Sequence, residues 1–357
     1  MIFKKGCIYI LVLIAIISMS SCTVENTDKT EANAVSESKM TVAVSIIPQE
    51  TFVKAVSGDL VDIVTMIPPG HSPANYQPTP KQMAKLSESK VYFSIGVPTE
   101  EANILSKVED FNSEIKVVAL ADIVEEVYPH RYFGKDEMHQ HDHECSGDEE
   151  NHDECHDHEE NHDEDHGHEE NHEEDHDHEE NHEEDHDHEE THHQHSKRDP
   201  HIWLSPNRVK VMIEAVKNEL VDLDPNNKST YEKNAAEYIA KLDEVDNEIR
   251  VELNEFEGQS FIIFHPAFGY FADDYGLKMV TIESDGKKAT PKKVQEVIDF
   301  ARKENIKFVF YQEEFDNQQA ETIANEIEGT TVKVAPLAQN YIENLRDTKN
   351  MLKEILK

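Results

Sequence analysis

The chain has 357 residues, long enough for two domains of ordinary size. Its net charge of −41 is concentrated in one place: 29 acidic residues and no Lys or Arg fall between positions 136 and 195, leaving −12 elsewhere. With no basic stripe beyond the first few residues, nucleic-acid binding is excluded.

Residues 1–22 read as a secretion signal, with Lys4 and Lys5 before an apolar run over 7–17 and then Met19-Ser-Ser-Cys22. The run is too short to span a bilayer comfortably. Small residues before a cysteine resemble the lipoprotein cleavage box, which makes Cys22 the lipidated N-terminus; a plain signal or uncleaved anchor with an incidental cysteine is the alternative. Residues 23–39 are polar and suit a flexible tether from a membrane surface. Of four cysteines, Cys7 leaves with the leader and Cys22 is acylated, so only Cys145 and Cys155, both in the acidic tract, remain. The folded parts must be held by their cores.

From residue 40 the pattern alternates. The sequence predicts strands over 41–47, 61–67, 91–95 and 116–120, with helices over 48–56, 80–89 and 100–108. A loop with five prolines fills 68–80, and Pro80 sits where a first helical residue would. At 136–198 the composition collapses into a ten-residue repeat of Asn, His, Asp and Glu, too polar and like-charged to pack, so a disordered insertion is expected. Ser205-Pro206 then caps a helix to 220.

The longest predicted helix runs over 227–256. Tyr231, Ala235, Tyr238, Leu242, Val245, Ile249, Leu253 and Phe256 form one apolar stripe, uninterrupted by Pro or Gly until Gly258. A coiled-coil arm is one reading. Compact segments at both ends, each with an unusual histidine, favour a rigid strut between two lobes. Alternation then resumes, with strands over 260–264, 278–282, 307–311 and 331–334 and helices over 267–275, 291–304, 317–327 and 339–356. The expected fold is α/β, with an N-terminal lobe over 40–225, a linking helix over 226–256 and a C-terminal lobe over 257–357. The sheets are mainly parallel and the cleft between the lobes is the ligand site.

Three segments carry the specific signals: Asp199-Pro-His201-Ile-Trp-Leu-Ser-Pro, Phe264-His265-Pro-Ala-Phe-Gly-Tyr, and the Pro-rich loop from Pro68 to Pro80. Together they resemble the zinc- and manganese-binding lipoproteins that feed ABC-type metal importers. The resemblance covers nearly the whole mature chain, including the His-rich insertion. It implies two α/β lobes bridged by a helix, with metal in the cleft and His201 and His265 as ligands. It also implies a membrane permease and ATPase as partners, with a monomeric binder held to the membrane by lipid. The residue chemistry agrees, since imidazole suits Zn²⁺ and a Mn²⁺ site would want more carboxylate. A buried structural histidine is the plain alternative for either residue.

Two positions depart from the family pattern. Ala74 stands where a first His is expected, with His71 three residues earlier, and Ala335 stands near an expected Asp. A site of His71, His201 and His265 with water is the simplest expectation. The tract adds His139, His141, His143, His152, His156, His158, His162, His166, His168, His172, His176, His178, His182, His186, His188, His192, His193 and His195, mixed with carboxylates. Many overlapping ligand sets in a mobile chain suggest a collector or buffer of zinc, against a merely solvated spacer. A metal-dependent adhesin or a zinc buffer is a rival reading. A zinc hydrolase is another, but it lacks a His-Glu-x-x-His motif, and Glu313 and Glu314 read better as helix-start carboxylates than as bases.

Overall fold

The computed structural model describes residues 39–133, 198–283 and 287–357. The signal, Cys22, most of the tether and the tract histidines lie outside the described residues. Two four-stranded parallel sheets organise the remainder. The first has the order β2-β1-β3-β4, from β1 (Met40–Val44), β2 (Val61–Thr65), β3 (Val91–Ser94) and β4 (Lys116–Ala119). Val42 is paired with both Ile63 and Val91, which fixes the register on either side. The second sheet repeats the plan as β6-β5-β7-β8, from β5 (Ser260–Ile263), β6 (Lys278–Thr281), β7 (Phe308–Tyr311) and β8 (Thr330–Lys333).

In both sheets the chain leaves the first strand to one side and returns on the other. That reversal opens a crevice at the strands' carboxyl ends, where such sheets take ligands.

Helices α1 (Ile47–Ser57), α2 (Pro80–Ser87), α3 (Ser106–Phe111), α4 (Leu120–Glu125) and α5 (Pro206–Leu223) belong to the first half, and residues 100–105 form a π-helical turn before α3. The starts follow local chemistry. Thr79 accepts from the Gln82 amide at 3.3 Å while the Gln82 side chain reaches back to the Thr79 amide at 2.8 Å, so α2 opens on a capping box with Pro80 inside it. Ser205 caps α5 by accepting from the Arg208 amide, and Thr290 caps α8 (Pro291–Lys303) by accepting from the Lys293 amide, each followed by proline.

The long helix is α6 (Lys228–Leu253), followed by a 3-10 turn over residues 254–256. Its 26 residues span roughly 39 Å. Tyr231, Ala235, Leu242, Val245, Ile249 and Leu253 are buried as the stripe demands, whereas Tyr238 is only half-buried. The stripe packs on α1 and α5 of the first half and on α10 (Tyr341–Ile355) of the second. Arg346 to Glu248 at 2.9 Å and Lys349 to Glu252 at 2.8 Å run alongside. One apolar core therefore reaches from Val42 and Phe93 through the α6 stripe to Phe261 and Leu345. Helices α7 (Gly269–Asp274) and α9 (Gln318–Glu326) complete the second half.

Candidate metal centre in the cleft

His201 follows the buried Asp199-Pro200 step and precedes a 3-10 turn, Ile202–Leu204, whose three residues are all buried. The Asp199 carboxylate accepts from the His201 amide at 3.0 Å and from its Nδ1 at 2.7 Å. That short loop fixes both ring rotation and tautomer. His265 lies just past β5, at the reversal point of the second sheet. Gln312, past β7, donates to the His265 carbonyl at 3.0 Å. The Phe315 ring stacks on the imidazole with centroids 4.1 Å apart. Glu283, past β6 and 3% exposed, takes His265 Nδ1 at 3.0 Å.

Each ring thus turns Nδ1 onto a carboxylate and Nε2 into the cleft. The two Nε2 atoms are 3.2 Å apart. Two nitrogens bound to one tetrahedral zinc ion at about 2.0–2.1 Å stand about 3.3 Å apart, so the pair already has the spacing of one edge of such a site. Carboxylates on the far nitrogens are the usual support of metal-bound imidazoles and raise their basicity. Burial pushes the His265 pKa below the ordinary histidine value, against the pull of Glu283, and this favours the neutral ring that a metal needs.

The surrounding cavity has a volume of about 330 Å³. Ser72, Asn75, Gly96 and Arg198 line it from the first half, and Glu283, Glu314 and Phe315 from the second. Close by, the Trp203 indole donates to the Pro336 carbonyl at 2.9 Å, and the Tyr341 hydroxyl to the Trp203 carbonyl at 2.6 Å. These bonds tie the two halves together beside the site.

Residues 42–355 match the family model described as ZnuA, zinc-uptake complex component A periplasmic. The chain belongs to that family. It is 26% identical to the high-affinity zinc uptake system protein ZnuA of Bacillus subtilis, over 99% of this chain and 98% of that protein. It is also 26% identical to the zinc-binding lipoprotein AdcA of Streptococcus pneumoniae, over 89% of this chain, but it spans only 56% of that protein's length. A crystal structure of a ZnuA deletion mutant with zinc bound superposes with a TM-score of 0.68 at 27% identity, covering 89% of this chain and 98% of that one. The ZnuA-type fold, two α/β lobes with parallel sheets joined by long helices, agrees with the α/β architecture expected from the sequence.

Of the three expected ligands of this ZnuA-family chain, the structure gathers two. His71 is not brought to the pair. Gly70, with φ of +77°, turns the loop so that Ser72 is buried and His71 is left exposed, its ring 4.7 Å from that of Tyr76. Ala74 lines the cavity, while Ala335 lines a neighbouring hollow with Glu50 and Glu313. Glu313 is paired with Lys333. Glu314 does line the His cavity, and one of its oxygens is buried without a hydrogen-bond partner. Among the described residues, no group of three or more His, Cys, Asp or Glu is placed to hold one ion.

The sequence reading missed Glu283, and it missed the role of Asp199. A carboxylate closing the strand beside the one that carries His265 was the available signal for Glu283. For Asp199 it was the two-residue spacing to His201.

Proposed function

We propose that the His201–His265 pair captures Zn²⁺ as cargo on the outer face of the cell membrane and passes it to the permease and ATPase of an ABC importer. Cys22 is the proposed lipid anchor, and the tract histidines between 139 and 195 the proposed collector or buffer. One observation carries the reading: two Nε2 atoms 3.2 Å apart, each on a ring whose other nitrogen is held by a buried carboxylate. The names of the similar proteins, zinc uptake for the Bacillus protein and zinc binding for the streptococcal lipoprotein, point the same way. Two neutral imidazoles favour Zn²⁺ over Mn²⁺, which prefers oxygen ligands.

The role asks for capture and release without turnover, and the geometry serves it. Buried carboxylates orient the rings before the ion arrives, so little ordering is left for binding to do. Competition against a chromophoric chelator, on the full mature chain, tests the site. His201→Ala and His265→Ala should each remove the tightest class of zinc binding and leave the weaker tract class unchanged. Retention of the tightest class in both variants would refute the proposal.

A further inference from the structure

Two imidazoles leave the ion short of protein ligands. Zinc sites that keep an open position are built on three protein ligands, drawn from His, Cys and carboxylate side chains. Ala74 and Ala335 have no ligating atom, and the turn at Gly70 leaves His71 exposed. The two carboxylates that hold the rings are also committed. Asp199 accepts from the His201 ring and Glu283 from the His265 ring, both at Nδ1. The two nitrogens of an imidazole point to opposite sides of the ring, so a carboxylate held on Nδ1 does not also reach an ion on Nε2. Drawing either one onto the ion would free the ring it orients.

Glu314 is the carboxylate left over. It lines the cavity around the pair. The residue before it, Glu313, is taken by Lys333, and the residue after it, Phe315, stacks on the His265 ring with centroids 4.1 Å apart. That stacking keeps residue 314 beside the site. One Glu314 oxygen is buried without a hydrogen-bond partner. A buried carboxylate oxygen in that condition carries a desolvation cost that a cation offsets. Glu314 also lines the neighbouring hollow with Ala335, so its side chain has open space on both sides in which to change rotamer.

We propose that Glu314 is the third protein ligand of the cleft ion, turning in from the cavity wall when zinc reaches His201 and His265. The inference rests on the proposed zinc site and completes its ligand set as two imidazoles, one carboxylate and one open position. In the ion-free arrangement Glu314 stands back from the pair, since no three ligating side chains converge among the described residues. Capture therefore has two stages. The rings, already held by Asp199 and Glu283, meet the ion first, and the Glu314 carboxylate then closes on it.

A zinc-loaded crystal of the full mature chain, with the ion placed by its anomalous signal, tests this. A Glu314 oxygen should stand about 2.0–2.2 Å from the ion, the ordinary zinc–carboxylate distance. In competition against a chromophoric chelator, Glu314→Gln should weaken the tightest class of zinc binding by more than about 100-fold, beyond the range of a group that only supports a ligand. Glu313→Gln, on the lysine-paired neighbour, should leave that class unchanged. Without zinc, Glu314→Gln should melt no lower than the parent, which separates a lost ligand from a lost fold. Should that variant prove unstable, the distance in the crystal decides alone. An ion on the pair with water or another side chain in place of Glu314 would overturn the inference, as would a loss within the supporting range in a stable Glu314→Gln. In either case the His201–His265 site would stand. A crystal with no ion on the pair would refute both readings.

Discussion

Glu283 and Asp199 decide how the two imidazoles meet. Glu283 is 3% exposed, and one of its oxygens has no hydrogen-bond partner, so its cost of burial is met mainly by His265. Supporting carboxylates of this kind contribute about 10- to 100-fold in metal affinity. Glu283→Ala should weaken the tightest zinc binding by about that factor. Glu283→Gln, which keeps an acceptor and loses the charge, should cost less. Competition titration of both variants separates orientation from electrostatics, and equal losses would assign the effect to charge.

The acid response of the ion-free protein follows from His265. Its folded pKa is depressed below 6.5, first by burial, so the unfolded chain binds this proton more readily. The stability it contributes is fully present above pH 6.5 and is lost as pH falls through the folded value. The melting temperature of the ion-free chain should drop over that window. The difference between parent and His265→Gln should shrink as the pH falls, and a difference independent of pH between 7.5 and 5 would contradict this assignment.

At the scale of elements, α6 is the member on which both halves rest. Leu242 is fully buried in its stripe, so Leu242→Ala should destabilise the fold by about 2–5 kcal/mol, read by denaturant unfolding. The exposed Val251, on the opposite face, should tolerate alanine with little change. This helix was legible because its apolar spacing is set by the element itself. So were the proline-opened helices, whose caps lie within three residues of their starts. Helix α4 was not, because Leu120–Glu125 is too short to establish a period and follows β4 without a turn residue. The site divided along the same line. His201 and His265 sit in compact local motifs and could be read. Whether His71 reached them depended on the backbone turn at Gly70, and Glu283 met His265 only through the pairing of β6 with β5. Neither is a local property of the chain.

At the scale of the molecule, the acidic tract and the folded core are separable in composition. Removing residues 138–196 should leave a folded chain with its tightest zinc affinity little changed, and the stoichiometry measured by titration should fall by several ions. Loss of the tightest class on deletion would make the tract the principal site. The folded part carries its own balance of charge. Each Nδ1 that donates to a carboxylate keeps its proton, so the 3.2 Å contact between the Nε2 atoms needs one more to act as a bond. With both rings neutral, as zinc requires, two lone pairs face one another at the place the ion takes. Loading sets a dication between them and raises the molecule's net charge by two. Protons and zinc compete for the same two nitrogens.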